Sequence, residues 1–274
     1  STLIAGLARL LPVDMGLMTI DGRESRDVPL RVWRRGMRAI PQEPLILYGS
    51  VLFNLDPTGG ASEGEAWEAL RLAGLFDAVM AMPYGLDSIL ASGGESARRS
   101  AKSADAAAYS AAVDLSGGQR QLLALARLLL HSADARLVLL DEPAAGMEEA
   151  ASARLHAVLN ERLGHATLLA ITHRLLPLLH LFSRVFVLDH GQLIEDGAPA
   201  DLLGSTGGHL HKLFEQAPPR MQATVRRMAA LHRSRGLAAV RGLWTRVNLQ
   251  SGHVGPHGSS PLAAPNAMAG GPAN

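Results

Sequence analysis

Apolar residues along the chain fall into short continuous runs that alternate with longer stretches of helical spacing. Leu137–Leu140 and Leu168–Thr172 are almost entirely apolar, as expected of strands that are buried on both faces. Helical patterns run through Gln119–Leu130 and through Glu148–Leu163, and the second of these stops at Gly164. An order of helix, strand, helix, strand predicts an α/β fold, a mostly parallel sheet with helices on its faces.

Capping and turn residues mark further elements. Ser62 and Glu65 have the spacing of a capping box, which predicts a helix that continues to about Phe76. Asp189-His190-Gly191 separates two short apolar runs and predicts a β-hairpin. Shorter elements are also predicted: a helix within residues 1–11, and strands at Leu17–Asp21 and Arg38–Pro41.

Composition limits the classes of protein and site. The 274 residues include no cysteine, which excludes disulfides and thiolate metal sites. The formal net charge is +1, but residues 1–215 carry 19 basic and 25 acidic side chains, so the body is mildly acidic and the tail basic. Leu122–Leu130 and Leu175–Phe182 are the most apolar stretches, and both are far shorter than the roughly 20 residues of a membrane span. The chain begins at Ser1 without Met, from which we expect a fragment or a processed product.

Two segments have the composition of irregular chain. Residues 96–114 are rich in Ala and Ser and predict a flexible insertion. Beyond Pro218 the chain becomes rich in Arg, and the last 25 or so residues predict disorder. One set of apolar residues in this tail falls near helical spacing beside arginines, which would suit a helix on anionic lipid: Met221, Val225, Met228 and Leu231. We favour an unstructured extension instead, because Gly236 and Gly242 interrupt the pattern.

Ser116-Gly117-Gly118-Gln119 opens the apolar helix that ends at Leu130. A Ser cap, two glycines and a helix start expose backbone N–H groups at the positive end of the helix dipole, which favours a phosphate. An ordinary junction between a loop and a helix is the alternative.

Three further positions have side chains suited to phosphate chemistry. Asp141 and Glu142 follow the strand Leu137–Leu140, where Asp141 could hold Mg²⁺ and Glu142 could activate water. Two solvated acids after a core strand are the alternative. His173 follows the next strand, and Gln42 lies in a proline-flanked turn after an earlier strand. A single His or Gln in such a place is weak evidence by itself.

Taken in order, these motifs resemble those of an ABC transporter nucleotide-binding domain. Leu115–Gln121 resembles the signature motif, Leu137–Glu142 the Walker B strand, Ala170–Leu175 the switch-histidine loop and Ala39–Pro44 the Q-loop. Leu52-Phe53-Asn54-Leu55-Asp56-Pro57 resembles a phrase typical of the second domain in the C, or multidrug-resistance-associated, subfamily. The resemblance covers about residues 1–215.

The resemblance implies a P-loop NTPase fold with four parts. Residues 1–43 would form an incomplete part of a RecA-like core, 44–130 a helical subdomain containing the insertion, and 131–217 the rest of the core. Residues 218–274 would form the basic, largely disordered tail.

The resemblance also implies ATP and Mg²⁺ as cofactors and assigns roles to individual residues. Glu142, His173 and Gln42 would be catalytic. Mg²⁺ would be held by Ser1, Gln42 and Asp141. Nucleotide would be contacted by Ser1, Thr2, Ser116, Gly117, Gly118 and Gln119.

The sequence departs from the family pattern at two places that matter for activity. Of the Walker A pattern G-x-x-x-x-G-K-[ST], only the last position is present, as Ser1, so the glycines and the lysine that cradle phosphates are missing. Glu148 stands where the family usually has Asp. We therefore expect residues 1–274 alone to have negligible ATPase activity.

The function implied is that of an ATP-binding and ATP-hydrolysing domain that drives a membrane exporter. Its partners would be a second nucleotide-binding domain and the transmembrane domains, at the cytoplasmic face of a membrane, with no nucleic acid. Two alternatives stay open: a soluble ABC ATPase without a transport role, and a non-catalytic remnant that binds a partner domain through its signature surface.

Overall fold

The computed structural model of this chain describes residues 1–91 and 112–250, and of residues 242–250 it describes the backbone alone. Most of the predicted insertion at 96–114 therefore lies outside the described residues. The final segment, residues 251–274, for which disorder is predicted, lies outside them too.

The described elements before the insertion are α1 (Thr2–Leu7), β1 (Thr19–Ile20), β2 (Arg23–Glu24), α2 (Leu30–Arg35), β3 (Met37–Ile40), β4 (Gly49–Ser50), α3 (Val51–Leu55), α4 (Glu63–Ala73), α5 (Phe76–Met80) and β5 (Ile89–Leu90). Those after it are α6 (Gly117–Leu130), β6 (Leu137–Asp141), α7 (Glu149–Arg162), β7 (Thr167–Ile171), α8 (Leu175–Leu181), β8 (Val185–Asp189), β9 (Gln192–Gly197), α9 (Pro199–Gly204), α10 (His209–Glu215) and α11 (Pro219–Gln250).

The central sheet has the order β3-β6-β7, and both of its pairings are parallel. Ile40 is in register with Leu140, and Asp141 is in register with Ile171. The apolar run of β6 is buried, as its composition predicts, with Leu140 fully inaccessible. The α/β class and the parallel sheet are thus confirmed, and the carboxyl ends of three strands meet at one edge.

A layer of helices packs against this sheet through one continuous core. Helices α3 and α4 lie against α6, and α6 in turn contacts β3 and α7. Residues from every layer belong to the same buried cluster, among them Leu70, Leu123, Leu140 and Leu155. Since α6 touches both the helical layer and the sheet, it fixes the position of one against the other.

The predicted capping box and hairpin are both present. Ser62 Oγ accepts from the Glu65 N–H at 3.3 Å, and Glu65 Oε2 accepts from the Ser62 N–H at 2.8 Å. Helix α4 ends at Ala73 rather than near Phe76, because Gly74 takes a left-handed conformation and caps it. Strands β8 and β9 pair antiparallel across His190 and Gly191, both of which have positive φ.

The amino-terminal elements are shorter than predicted. The helix within residues 1–11 extends only over Thr2–Leu7, and Arg9 has a φ of 53°, which a right-handed helix cannot continue through. The strand predicted at Leu17–Asp21 is reduced to two residues that pair with β2.

The basic tail is ordered over its first part. Residues 219–250 form α11, broken at Gly236, which corrects the expectation of an unstructured extension there. Val225, Met228 and Val240 are almost fully buried in a cluster with residues of α8, α9 and α10. Burial of these side chains stabilises the helix despite the glycine, because tertiary packing outweighs propensity. The apolar residues that a lipid-bound helix would use are therefore packed against the body of the protein.

Within the part of the chain that the structure describes, no helix combines the length and the apolar character needed to cross a bilayer.

Candidate functional site

Asp141 occupies the last position of β6, at the carboxyl edge of the central sheet. Buried strand residues precede it, and its own side chain is largely enclosed. The α-amino nitrogen of Ser1 lies 3.8 Å from Asp141 Oδ2. The start of α1 and the tip of β6 are therefore neighbours, which places the remaining residue of the Walker A pattern beside the Walker B aspartate.

Glu142 and His173 form a direct contact next to Asp141. The Glu142 carboxylate lies 2.9 Å from His173 Nδ1, so the protonated Nδ1 donates to Oε1. The Glu142 backbone has a φ of 47°, and its N–H donates to the Ile171 carbonyl at 3.0 Å. A left-handed conformation in a residue other than glycine is strained, and such strain concentrates at functional sites. The second imidazole nitrogen of His173 belongs to a side chain that is 76% exposed, so it is open to a ligand.

Gln42 lies at the same edge, two residues beyond the end of β3. Its backbone carbonyl accepts a hydrogen bond of 2.7 Å from Nε2 of Gln121, a buried residue of α6. The same amide lies 3.5 Å from the Pro41 carbonyl. The exposed Gln42 side chain thus extends from a turn whose backbone is hydrogen-bonded to Gln121 of α6.

Ser116 caps α6 as its sequence context predicts. Its hydroxyl accepts from the Gln119 N–H at 3.2 Å, and Gln119 Oε1 accepts from the Ser116 N–H at 2.9 Å. A Cβ added to Gly118 would lie 3.6 Å from the Gly146 carbonyl, so the signature turn and the turn after Glu142 are close. The helix starts with free N–H groups and a positive dipole end, as an anion site requires.

The structure gathers some of the residues identified from sequence and separates others. Ser1, Asp141, Glu142 and His173 lie together, and Gln42 shares their edge of the sheet. Among the described residues, no hydrogen bond or ion pair joins Ser116–Gln119 to that cluster. Thr2 is the first residue of α1 and is exposed.

Two positioning contacts were not anticipated from the sequence. One is the Gln121 amide beneath Gln42. The other is Arg127, also on α6, which donates to the Leu45 carbonyl at 2.6 Å, to Asn54 Oδ1 at 2.8 Å and to the Asn54 carbonyl. Burial lowers the pKa of the Arg127 guanidinium. The available signal was a polar and a charged residue inside an otherwise apolar helix, since buried polar groups are retained where they have partners.

The turn after Glu142 differs from the family pattern in one contact. Glu148 is the N-cap residue of α7, and its side chain makes no capping hydrogen bond. An aspartate would place its carboxylate a methylene closer to the backbone N–H groups, where capping side chains bind. The substitution identified in the sequence thus leaves this helix start without a side-chain cap.

The donor groups at the sheet edge suit a hard cation. Asp141 supplies a carboxylate, Ser1 a hydroxyl and Gln42 an amide oxygen, all of which are oxygen ligands. Among the described residues no group of three or more His, Cys, Asp or Glu could form an all-protein metal cage. Mg²⁺ usually takes one or two carboxylates and completes its shell with waters and phosphate oxygens, so this donor set fits it.

A parallel sheet with helices packed against it and an aspartate and a glutamate at its carboxyl edge fits a nucleotide-binding domain of the P-loop NTPase class. Residues 1–145 match the family model described as "ABC transporter", and the chain belongs to that family. The relatives it resembles are C-subfamily transporters, which assigns it to a C-subfamily nucleotide-binding domain.

Three relatives illustrate the match. The chain is 31% identical over 229 residues to ABC transporter C family member 3 of Dictyostelium discoideum, a match that covers 84% of this chain and 15% of the relative. It is 34% identical over 207 residues to ATP-binding cassette sub-family C member 3 of Homo sapiens, covering 76% and 12%. It is 32% identical over 220 residues to a multidrug resistance protein of Leishmania tarentolae, covering 80% and 13%. The chain thus spans a small fraction of the length of these relatives.

The fold is also shared with a solved structure. A bacterial Atm1-family ABC exporter with ATP bound superposes with a TM-score of 0.67 over 79% of this chain and 35% of that one, at 24% sequence identity.

Proposed function

We propose that this chain is most of the second nucleotide-binding domain of a C-subfamily exporter, where it binds and hydrolyses ATP to drive transport across a membrane. Its partners in the whole protein would be the other nucleotide-binding domain and the transmembrane domains. The domain would lie at the cytoplasmic face of that membrane. The proposal rests on family membership together with the chemistry of the sheet edge.

The observation that carries the proposal is the contact between Glu142 and His173 beside Asp141. A glutamate held by an imidazole at a strand end can orient or deprotonate the water that attacks a γ-phosphate. The exposed side of the His173 ring can contact the phosphate itself. A glutamate after Asp141 also favours a hydrolytically competent site in the intact protein, and therefore the second domain.

Mg²⁺ would be held by Asp141 and Ser1, with Gln42 as a further oxygen ligand. When bound, the ion would neutralise charge on the β- and γ-phosphates. Ser1 and Thr2 would contact the nucleotide from the amino end of α1.

A different nucleotide would be contacted by the start of α6, which comprises Ser116, Gly117, Gly118 and Gln119. They share no hydrogen bond with the Asp141 cluster, while their capped helix start presents free N–H groups at the surface. We infer that they close over ATP bound by the partner domain, so that each composite site takes one face from each domain. Closure and hydrolysis would then move the transmembrane domains between two states.

The division into parts stays a prediction: residues 1–43 and 131–217 would belong to the ATP-binding core, and 44–130 to the helical subdomain. The contacts of α3 and α4 with α6 support grouping these helices together.

The test compares two chains, residues 1–274 and the same chain preceded by a glycine-rich loop ending in Lys. We expect the first to turn over no ATP, because it lacks the groups that hold the phosphates. With the partner nucleotide-binding domain present, the second should hydrolyse MgATP, and Glu142→Gln should abolish turnover while ATP binding persists. Glu63→Gln, an exposed acid of α4, is the matched control and should retain activity.

Turnover by residues 1–274 that Glu142→Gln abolishes would contradict the inactivity of this chain. Failure of the longer chain to bind ATP would instead favour the non-catalytic remnant. Turnover by the longer chain, with no membrane spans in the whole protein, would favour a soluble ABC ATPase.

A further inference from the structure

A large cavity lies beside the switch loop and shares one lining residue, His173, with the proposed phosphate chemistry. It is partly open to solvent, has a volume of about 690 Å³ and is bordered by α7, the loop after β7, the start of α8, α10 and the start of α11. Its walls are mainly apolar and include Met147, Leu175, Pro177, Leu213, Ala217 and Met221. Sites that bury drug-sized molecules have volumes of about 300–1,000 Å³ and this kind of lining.

One positive charge faces this cavity without a counter-ion. Arg174, a half-buried residue of the wall, donates from Nη1 to Ser152 Oγ at 3.2 Å. In the part of the chain that the structure describes, no carboxylate lies within 4.0 Å of its guanidinium. A guanidinium presents several donors in a planar fork that matches a carboxylate, so its remaining N–H groups are suited to an anion.

Arg174 is the dominant charge of the cavity wall, because the other polar groups there are either neutral or exposed to solvent. Burial, and then the charge of Arg174, lower the pKa of His156 to about 4, so this wall residue is neutral at pH 7. His173, Glu149 and Gln216 line the cavity as well, and all three are exposed. Glu149 is the acid that would oppose an incoming anion, and its exposure allows water to screen it.

We propose that this cavity binds a small amphiphilic carboxylate, with its apolar body against the apolar walls and its carboxylate on Arg174. The apolar body would leave water for a preformed space, which is the main favourable term in binding of this kind. The carboxylate would accept charge-assisted hydrogen bonds from the guanidinium and so fix the orientation of the ligand. The ligand's carboxylate would lie on Arg174, a residue to which the proposed hydrolysis assigns no role.

The experiment titrates residues 1–274 at pH 7 with three probes that share one alkyl chain. Isothermal titration calorimetry measures the affinity and stoichiometry of each probe. Octanoate should bind saturably, with one molecule per chain. Octanamide, which keeps the shape without the charge, should bind about tenfold or more weakly, since hydrogen bonds between charged groups are the stronger ones. Octylammonium, with the opposite charge, should bind weakest of all.

Two variants locate the site. Arg174→Met should reduce octanoate affinity to that of octanamide, whereas Arg162→Met, an exposed arginine of α7 away from the cavity, should leave it unchanged. Met221→Trp, which adds bulk from the α11 side, should weaken binding of all three probes by occupying part of the space. Circular dichroism verifies that each variant is folded. Because Met221 and Arg174 lie on different elements, misfolding of one variant leaves the other as a test.

The proposal is overturned if octanoate does not bind saturably or binds no tighter than octanamide. It is overturned equally if Arg174→Met leaves octanoate affinity unchanged, since the probe would then occupy another surface. Glu149→Gln provides a further measurement. Removal of that acid should strengthen octanoate binding, and weaker binding would contradict a ligand carboxylate placed in this cavity.

Discussion

Gln121 Nε2 donates a hydrogen bond of 2.7 Å to the backbone carbonyl of Gln42, across 79 positions of sequence. The donor is buried in the helix that begins with Ser116, and the acceptor belongs to the turn that presents Gln42 at the sheet edge. A movement of the start of α6 would therefore be transmitted to the Gln42 turn through the Gln121 side chain. The other amide atom of Gln121, Oε1, is buried and meets no hydrogen-bond partner among residues 1–91 and 112–250.

Gln121→Met should loosen the Gln42 turn without destabilising the protein. The variant loses one hydrogen bond, worth about 0.5–1.5 kcal/mol net, but it also removes an unsatisfied buried oxygen that costs about 1–3 kcal/mol. We expect the free energy of unfolding to stay the same or rise. Hydrogen exchange of backbone amides near residues 41–47 should become faster. Gln192→Met, at an exposed position of β9, is the control, and unchanged exchange in Gln121→Met would show that the contact does not position the turn.

Arg127→Met should destabilise the protein by about 2–3 kcal/mol, since one hydrogen bond to a charged group contributes about 1.5–3 kcal/mol and bonds that share one side chain do not add. The free energy of unfolding of Arg127→Lys should lie between those of the parent and Arg127→Met, because an ammonium group cannot span the Leu45 and Asn54 acceptors as the guanidinium does. Urea unfolding measures both effects. The exposed Arg162→Met should change stability by less than about 0.5 kcal/mol; an equal loss there would contradict a specific role for Arg127.

Acid should destabilise the protein partly through Asp56. A hydrogen bond from the Thr58 hydroxyl, and then bonds from the Ala61, Thr58 and Gly60 N–H groups, lower the pKa of this buried carboxyl well below its usual range, against the opposing effect of burial. His131 Nε2 lies 3.7 Å from the same carboxylate. A depressed folded-state pKa contributes stability that is fully present above the unfolded value of about 3.9 and is lost as pH falls toward the folded value.

The variant Asp56→Asn tests this linkage. It should be less stable than the parent at pH 7, and the two should converge between pH 4 and the acid limit, because only the parent loses the ionised acceptor. Urea unfolding at a series of pH values measures the difference. The exposed Asp87→Asn is the control, and a stability difference at Asp56 that does not change with pH would rule out the linkage.

Removal of α11 should expose a core surface. Val225, Met228 and Val240 are 4% exposed or less, and burial of such a side chain contributes about 1.5–3 kcal/mol. We expect residues 1–217 to unfold at least about 3 kcal/mol more easily than the full chain, or to fail to fold. Residues 1–250 should match the full chain. Circular dichroism during urea unfolding makes the comparison. A chain of residues 1–217 as stable as the parent would show that the packing of α11 does not stabilise the folded protein.

The sequence by itself determined the features that depend on neighbouring residues. The apolar run of β6, the capping box at Ser62, the helix cap at Ser116, and the turn at His190 and Gly191 follow from local spacing and local hydrogen bonds. The order of the motifs then indicated the family and the residues at the sheet edge. Local patterns need only a few residues to be satisfied, and so they can be read without knowledge of the fold.

Only the tertiary structure decided the rest. The bonds from Gln121 to Gln42 and from Arg127 to Leu45 join positions about 80 residues apart, and no local pattern encodes which acceptor a buried donor will meet. The length of α1 was overestimated, and the order of α11 was missed, for the same reason. A helix interrupted by Gly236 is marginal alone and is stabilised where Val225 and Met228 find an apolar surface to cover.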